Sequence, residues 1–284
     1  PISLYSTLPY SMLSPQTPFE IGVDEVGRGP LFGRVYACAC VLPTMEQAPD
    51  FAWHWMKDSK AFSSVKKRAQ VSTYLHEHPL VHYAIAWEDE SVIDTINILQ
   101  ATQQAMHKAI RALIQKMYDH GHDHVLGPPN KSNPWILWID GNYFHPCMHP
   151  ITNQPISHTC VKGGDHSYHS IAAASILAKV AHDSYILDMC TTYPEYKERY
   201  SLHTNMGYGT APHLQGIRTY GLTPFHRRSF GPCQSNGPNG SNSSVGRTKR
   251  DKKQEQEQGK KEEKEEEEEN VDEFIHWIWG TCYV

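Results

Sequence analysis

Three short apolar segments of the 284-residue chain run into acids. Ile21-Gly22-Val23 leads to Asp24-Glu25, Trp135 to Ile139 leads to Asp140, and a third segment passes through Lys162-Gly163-Gly164 to Asp165. A carboxylate at the end of a buried strand must be paired, hydrated or metal-bound, because an isolated charge beside a core is costly. Converging strand ends would form an all-oxygen cluster. That donor set suits Mg²⁺ or Mn²⁺, which take carboxylates and keep waters for a phosphate-bearing substrate. Two such ions can activate a water and stabilise the leaving oxygen of a phosphodiester. Taken singly, each aspartate reads equally well as a turn former that accepts backbone hydrogen bonds, so residue type alone leaves the choice open.

The elements that must position these acids follow from pattern. Ile21 to Asp24 is suited to a central strand, Val35 to Leu42 is a second β-type run, and together they suggest a hairpin or meander. A helix-period stretch runs from Ser63 to about Glu77, and Leu80 to Trp87 reads as a further strand. Leu99, Met106, Ile110, Leu113, Ile114 and Met117 recur at three- and four-residue spacing, the signature of an amphipathic helix over Leu99 to Tyr118. Gly127 to Pro134 is a loop by composition. A helix from Ser170 to about Met189 opens with Ala172-Ala173-Ala174-Ser175, a small-residue face able to approach a sheet closely. Shorter helices are expected after Thr210 and near Thr223-Pro224. The alternation predicts a layered α/β domain over residues 19–233, preceded by a flexible arm at 1–18.

Charge is distributed unevenly. From Gln234 onward there are 8 Lys and Arg against 12 Asp and Glu, which leaves 18 and 19 for the rest of a chain of net charge −5. The body is near neutral, so nucleic-acid binding would need a local basic patch rather than a polycationic surface. Residues 234–284 form a low-complexity charged tail that cannot bury a core and is expected to be disordered. Its apolar tip, Phe274 to Trp279, reads either as a docking peptide for an unknown protein or as an end that folds back on the body. Seven cysteines without a C-x-x-C pair argue against a disulfide framework and for a reducing compartment. No run approaches a membrane span. The chain begins at Pro1 rather than Met, which leaves a removed targeting segment open. His120, His122 and His124 read as a solvated cluster or a transition-metal site.

The local sequences are more specific. Asp24-Glu25-Val26-Gly27-Arg28-Gly29-Pro30 resembles the D-E-x-G-R-G-P motif of ribonuclease HII. Asp58-Ser59-Lys60 resembles its D-S-K, and Ile139-Asp140-Gly141-Asn142 its I-D-G-N. Lys162 to Asp165 and Ile171 to Lys179 resemble its K-G-D and A-A-S-I-L-A-K segments. Gly207-Tyr208-Gly209-Thr210 and His226 to Pro232 complete the order. The resemblance, closest to the single-chain bacterial type, implies a ribonuclease H-like α/β fold with a mixed central sheet flanked by helices. It implies an endonuclease that hydrolyses the RNA strand of RNA–DNA hybrids and cuts 5′ of ribonucleotides embedded in duplex DNA. The products would carry 3′-hydroxyl and 5′-phosphate ends, and the enzyme would be a cytoplasmic monomer serving ribonucleotide repair and primer removal. Asp24, Glu25, Asp140 and Asp165 would be the catalytic acids and the ligands of two Mn²⁺ or Mg²⁺ ions. Gly27, Arg28 and Gly29 would approach the sugar-phosphate backbone, where glycine permits close contact and the 2′-hydroxyl separates RNA from DNA. Tyr208 would pack on the nucleotide beyond the cut, and Ser59 and Lys60 would contact phosphates, as would Arg28, Arg227 and Arg228.

Three departures stand out. Lys162 to Asp165 carries one glycine more than K-G-D, although the spacing from Asp165 to Ile171 matches. Met206 stands where a lysine commonly precedes G-Y-G, and His182 replaces the arginine of an R-D pair with Asp183. Asp183 is the nearest competitor for a metal ligand; its depth in a helix assigns it to ion pairing. Two other functions remain open at this level: a catalytically weak or silent hybrid-binding protein, and an integrase-like nuclease sharing the acids.

Overall fold

The computed structural model describes residues 19–57, 62, 64–119 and 135–234. The arm at 1–18, Ser59 and Lys60, the loop at 127–134, His120, His122, His124 and the charged tail with its apolar tip lie outside the described residues.

Five strands form one sheet: β1 (Phe19–Val26), β2 (Val35–Val41), β3 (His82–Glu88), β4 (Trp135–Asp140) and β5 (Ser157–Val161), in the order β3-β2-β1-β4-β5. β1, β2 and β3 are antiparallel neighbours, whereas β4 runs parallel to β1 and β5 parallel to β4. The sheet is mixed, as expected: β2 alone runs against the other four strands, and β1 is where antiparallel pairing gives way to parallel.

Alternation along β1 and β4 sorts the side chains. Phe19, Ile21 and Val23 of β1 join Trp135, Leu137 and Ile139 of β4 in one core cluster. This face is covered by α2 (Glu90–Asp119), which contributes Met106, Ile110, Leu113 and Ile114. Period two then sends Gly22 and Asp24, and Trp138 and Asp140, to the opposite face. That face carries α3 (His169–Thr192), whose Ala172, Ala173, Ala174 and Ala178 pack with Cys38 and Cys40. α1 (Val65–Glu77) adds Val71 and Leu75 to the same cluster, and Ser64 caps its first turn by accepting from the Lys67 amide at 3.1 Å.

Glycine at position 22 is a packing requirement. A Cβ there would lie 2.2 Å from the Ser170 carbonyl carbon and 2.4 Å from the Ile171 nitrogen, so α3 rests directly on the β1 backbone. Beyond α3 the chain forms α4 (Pro194–Tyr200), α5 (Leu202–Asn205), α6 (Ala211–Tyr220) and α7 (Gly231–Gln234). Leu31, Phe32, Tyr196, Tyr200, Leu202 and Ile217 unite these elements in a separate small core.

Two sequence expectations change. The helix expected from Leu99 begins at Glu90, with a break at Asn97, whose φ is 68°. The Asn97 side chain accepts from the Leu99 and Gln100 amides, so the second half is capped afresh from within. The helix expected near Thr223-Pro224 is a turn, in which the Thr223 hydroxyl accepts from the Phe225 amide at 3.2 Å and the Thr223 amide donates to His226 Nδ1. Among the described residues Cys38, Cys40, Cys147, Cys160 and Cys233 are free thiols. Among the described residues no helix is long and apolar enough to cross a membrane.

Candidate active site

The parallel register of β1 and β4 sets Gly22 opposite Trp138 and Val23 opposite Ile139, so Asp24 and Asp140 are the next residues along on adjacent strands. Both belong to the face beneath the start of α3. Asp24 is 5% exposed and accepts from the Glu25 amide at 2.7 Å. Burial pushes its carboxyl well above the usual carboxylate range, with the nearby charges of Glu25 and Asp140 acting in the same sense and a hydrogen bond from Ser175 opposing. Glu25 is also raised, first by burial, against the pull of Arg28. The Arg28 Nη1 donates to Glu25 Oε1 at 3.1 Å across the turn that leaves β1.

Asp165 arrives by a different route. β5 ends at Val161, Gly163 adopts a left-handed conformation (φ 66°), and Gly164 opens a 3-10 turn over Gly164–His166. The Gly164 amide donates to Asp140 Oδ1 at 2.7 Å, which ties this turn to the second acid. A Cβ on Gly164 would meet the tip of the Ile171 side chain, Cδ1, at 2.5 Å, so the turn packs closely beneath α3. Of the paired glycines, Gly163 is the one that turns the chain. Asp165 is buried, and its Oδ1 lies 2.8 Å from His166 Nδ1.

Asp24, Glu25 and Asp140 therefore share one electrostatic neighbourhood, and Asp165 stands one residue beyond their contact with Gly164. Among the described residues no three His, Cys, Asp or Glu side chains stand close enough together to hold a metal ion. Glu25 and Asp165 are turned to Arg28 and His166. The chemistry of the donor set nevertheless fits a hard divalent cation: every candidate atom is a carboxylate oxygen. Mutual repulsion among buried acids is what such an ion relieves.

Beside the acids, Gly27 (φ 91°), Arg28 and Gly29 form the turn after β1. A Cβ on Gly29 would lie 3.3 Å from Tyr208 Cε1, so the Tyr208 ring stands against this backbone while remaining 41% exposed. Two hydrogen bonds join the flanking segments, Leu31 N to Gly207 O and Arg227 N to Leu31 O, both 2.8 Å. The sequence-predicted recognition residues at 27–29 and 208 are thus brought together.

Arg227 is a correction. Expected to contact phosphate, it is 0% exposed and cannot reach one. Its guanidinium instead donates to four carbonyls: Gly33 at 2.8 Å, Arg28 at 3.1 Å, Gly27 at 2.7 Å and Arg34 at 2.8 Å. The fork geometry of arginine suits this convergence. With its carbonyls drawn inward, the Gly27–Gly29 turn is held from behind. Arg228 is exposed, and its amide is held with that of Ser229 by the Asp94 carboxylate. Asp183 pairs with Lys179 at 2.7 Å and Arg68 at 3.4 Å, and His182 Nδ1 lies 3.0 Å from it. Against burial, which raises it, the hydrogen bond to His182 and the Lys179 charge hold its carboxyl below the usual range, and His182, itself lowered by burial, stands in for the missing arginine. Ser175 is a site residue that the sequence reading passed over; its place in the Ala172–Ser175 run marked it as packing only.

A family model of ribonuclease HII matches residues 21–233. The chain belongs to the ribonuclease HII family. It is 44% identical over 211 residues to the ribonuclease HII of Shouchella clausii, covering 74% of this chain and 68% of that one. The ribonuclease HII of Parabacteroides distasonis is 40% identical over 211 residues, covering 74% and 89% respectively. The crystal structure of ribonuclease H2 from Pyrococcus horikoshii superposes with a TM-score of 0.54 at 20% identity, over 76% of this chain and 96% of that one, and shows the same fold. As a member of the ribonuclease HII family the protein is a ribonuclease H enzyme, and the matched span coincides with the folded body.

Proposed function

We propose that the protein hydrolyses the RNA strand of RNA–DNA hybrids and cuts 5′ of single ribonucleotides in duplex DNA, leaving 3′-hydroxyl and 5′-phosphate ends. The observation that carries this reading is the placement of Asp24 and Asp140 on adjacent parallel strand ends, directly beside a wall made of Gly27–Gly29 and Tyr208. Asp24, Glu25, Asp140 and Asp165 are the residues that would hold two divalent cations, Mg²⁺ or Mn²⁺. Such ions supply the acidity that makes water a nucleophile at neutral pH and offset charge on the phosphate.

The remaining work falls to the chain itself. Asp24 and Asp140 are fixed by the sheet and by the Gly164 amide, so they need little reorganisation when substrate arrives. Glu25 and Asp165 have the alternative partners Arg28 and His166, which compete with a cation for the carboxylates. The Gly27–Gly29 backbone, held from behind by Arg227, presents itself to the ribose, and the 2′-hydroxyl is the group it senses. Tyr208 packs on the following sugar and leaves no room for a second hydroxyl. Ser59 and Lys60 are assigned to phosphate contacts by their motif alone.

The test is cleavage of duplex DNA containing one ribonucleotide, in Mg²⁺ and separately in Mn²⁺, by wild type and Asp24→Asn. Expected is a single nick 5′ of the ribonucleotide, lost by on the order of a thousandfold in the variant, the scale of removing one group that stabilises the transition state. Binding without metal-dependent cleavage would make the protein a silent hybrid binder. Equal cutting of all-DNA duplex would favour an integrase-like nuclease.

A further inference from the structure

Behind Tyr208 lie two histidines that the metal chemistry does not use. His213, in the first turn of α6, and His226 are both 0% exposed, and their Nε2 atoms are 3.0 Å apart. A pair of imidazole nitrogens at that distance needs one proton between them, and the surrounding donors decide where it sits. The Thr223 amide donates to His226 Nδ1 at 2.9 Å. A backbone N–H cannot become an acceptor, so His226 must carry its proton on Nε2. That proton is donated to His213 Nε2, which forces the His213 proton onto Nδ1. From there it is donated to the Tyr208 carbonyl at 2.9 Å.

The result is a directed chain from Thr223 through His226 and His213 to Tyr208, with both rings neutral and each in one tautomer. A charge on either ring would set two N–H groups face to face. Burial lowers both histidines, His226 to about 3, with the neighbouring His213 and Arg228 acting in the same sense.

The segment that starts this chain also holds the opposite wall. Residues 223–227 pair with the Leu31–Gly33 stretch through Phe32 and His226, Gly33 N donates to Phe225 O at 2.8 Å, and Arg227 grips the Gly27–Gly29 turn. The Tyr208 ring, in turn, abuts Gly29. One short segment therefore sets both sides of the recognition slot. We propose that His213 and His226 are positioning residues for Tyr208, whose locked tautomers hold that ring against the Gly27–Gly29 turn and so set selectivity for the ribonucleotide–DNA junction. The inference rests on the role given to Tyr208 above.

Two substitutions at position 213 separate positioning from packing. Asn places an amide nitrogen near the Nδ1 position and keeps a donor for the Tyr208 carbonyl; Gln places it near Nε2 and loses that bond. The readout is the ratio of kcat/KM on a single embedded ribonucleotide to that on a continuous hybrid. His213→Gln should lower the ratio about tenfold, the size of one lost hydrogen bond, and His213→Asn should restore it to within about threefold. Adding His213→Gln to Tyr208→Ala should lower it no further. Equal ratios for Gln, Asn and wild type, or a Gln effect that persists without the Tyr208 ring, would overturn the proposal. Should Tyr208→Ala itself keep full selectivity, the role of Tyr208 and this proposal fall together, while loss of cleavage in Asp24→Asn would leave the nuclease reading standing. A second measurement needs no variant: ¹⁵N spectra of the histidine rings at neutral pH should show His213 protonated at Nδ1 and His226 at Nε2. Any other tautomer, or a charged ring, refutes the chain.

Discussion

Replacing Arg227 by methionine keeps the length of the side chain and removes its donors. Four carbonyls, those of Gly27, Arg28, Gly33 and Arg34, then lose their partner at once. A stranded buried acceptor costs about 1–3 kcal/mol, so four left dry would approach the whole stability of a typical domain, about 5–15 kcal/mol. Two effects reduce the loss. The variant no longer buries a charge, which relieves a penalty of several kcal/mol, and the turn at 27–29 moves outward until water reaches its carbonyls. The expected net cost is about 3 kcal/mol, that of one or two carbonyls still without a partner at about 1–3 kcal/mol each, read as a shift in the urea midpoint. Activity should fall further than stability explains, because the freed turn no longer faces Tyr208. Arg227→Lys sharpens the test: one ammonium cannot span carbonyls on both sides of the fork, so lysine should recover less than half of the loss. A methionine variant within about 1 kcal/mol of wild type with junction selectivity intact would refute the clamp. So would full recovery by lysine, which would make charge, not geometry, the cause.

The pH dependence of folding should have a recognisable sign. His182, His213 and His226 are held below the ordinary histidine value by burial, so below about pH 6.5 the unfolded chain binds protons that the folded one refuses. Stability should therefore be full above that pH and fall as pH drops, by up to about 1.4 kcal/mol per unit for each histidine, measurable by urea unfolding between pH 7.5 and 5.5. Asp24 and Glu25 are raised and act in the opposite sense, their contribution being present at low pH and lost as pH rises. Asp24→Asn should accordingly steepen the fall; a flat profile in that variant would contradict the neutral histidines. Gly22→Ala should cost roughly 3 kcal/mol or more, because the new methyl meets α3 backbone rather than a movable side chain. Chemical denaturation checks this, and a near-neutral result would mean that α3 does not rest on β1 as described.

Much of the molecule is readable from local pattern because the forces involved are local. Period two in Ile21–Asp24 and Trp135–Asp140 gives strands with their acids at the ends, and the spacing from Leu99 to Met117 gives an apolar helix face. Where reading failed, a particular competing interaction won. Asn97 interrupts α2 and recaps it, so its first two turns lack the continuous stripe that would have revealed them. Thr223-Pro224 carries a helix-start signature, yet the segment closes into a turn that Thr223 and His226 bridge with hydrogen bonds.

The ordered motifs, by themselves, determined the family and named the four acids, because each acid is marked by its immediate neighbours. Which basic residue faces substrate was decided only in three dimensions. Arg227 and Arg228 are adjacent and chemically identical, yet one is sealed in the interior and the other exposed. The difference arises because the carbonyls that claim Arg227 lie about two hundred residues earlier in the chain. The same holds for His213 and His226, thirteen residues apart, whose shared proton exists only once α6 and the following turn have packed together. Burial and tautomer depend on long-range packing, and no local window of residues contains that information.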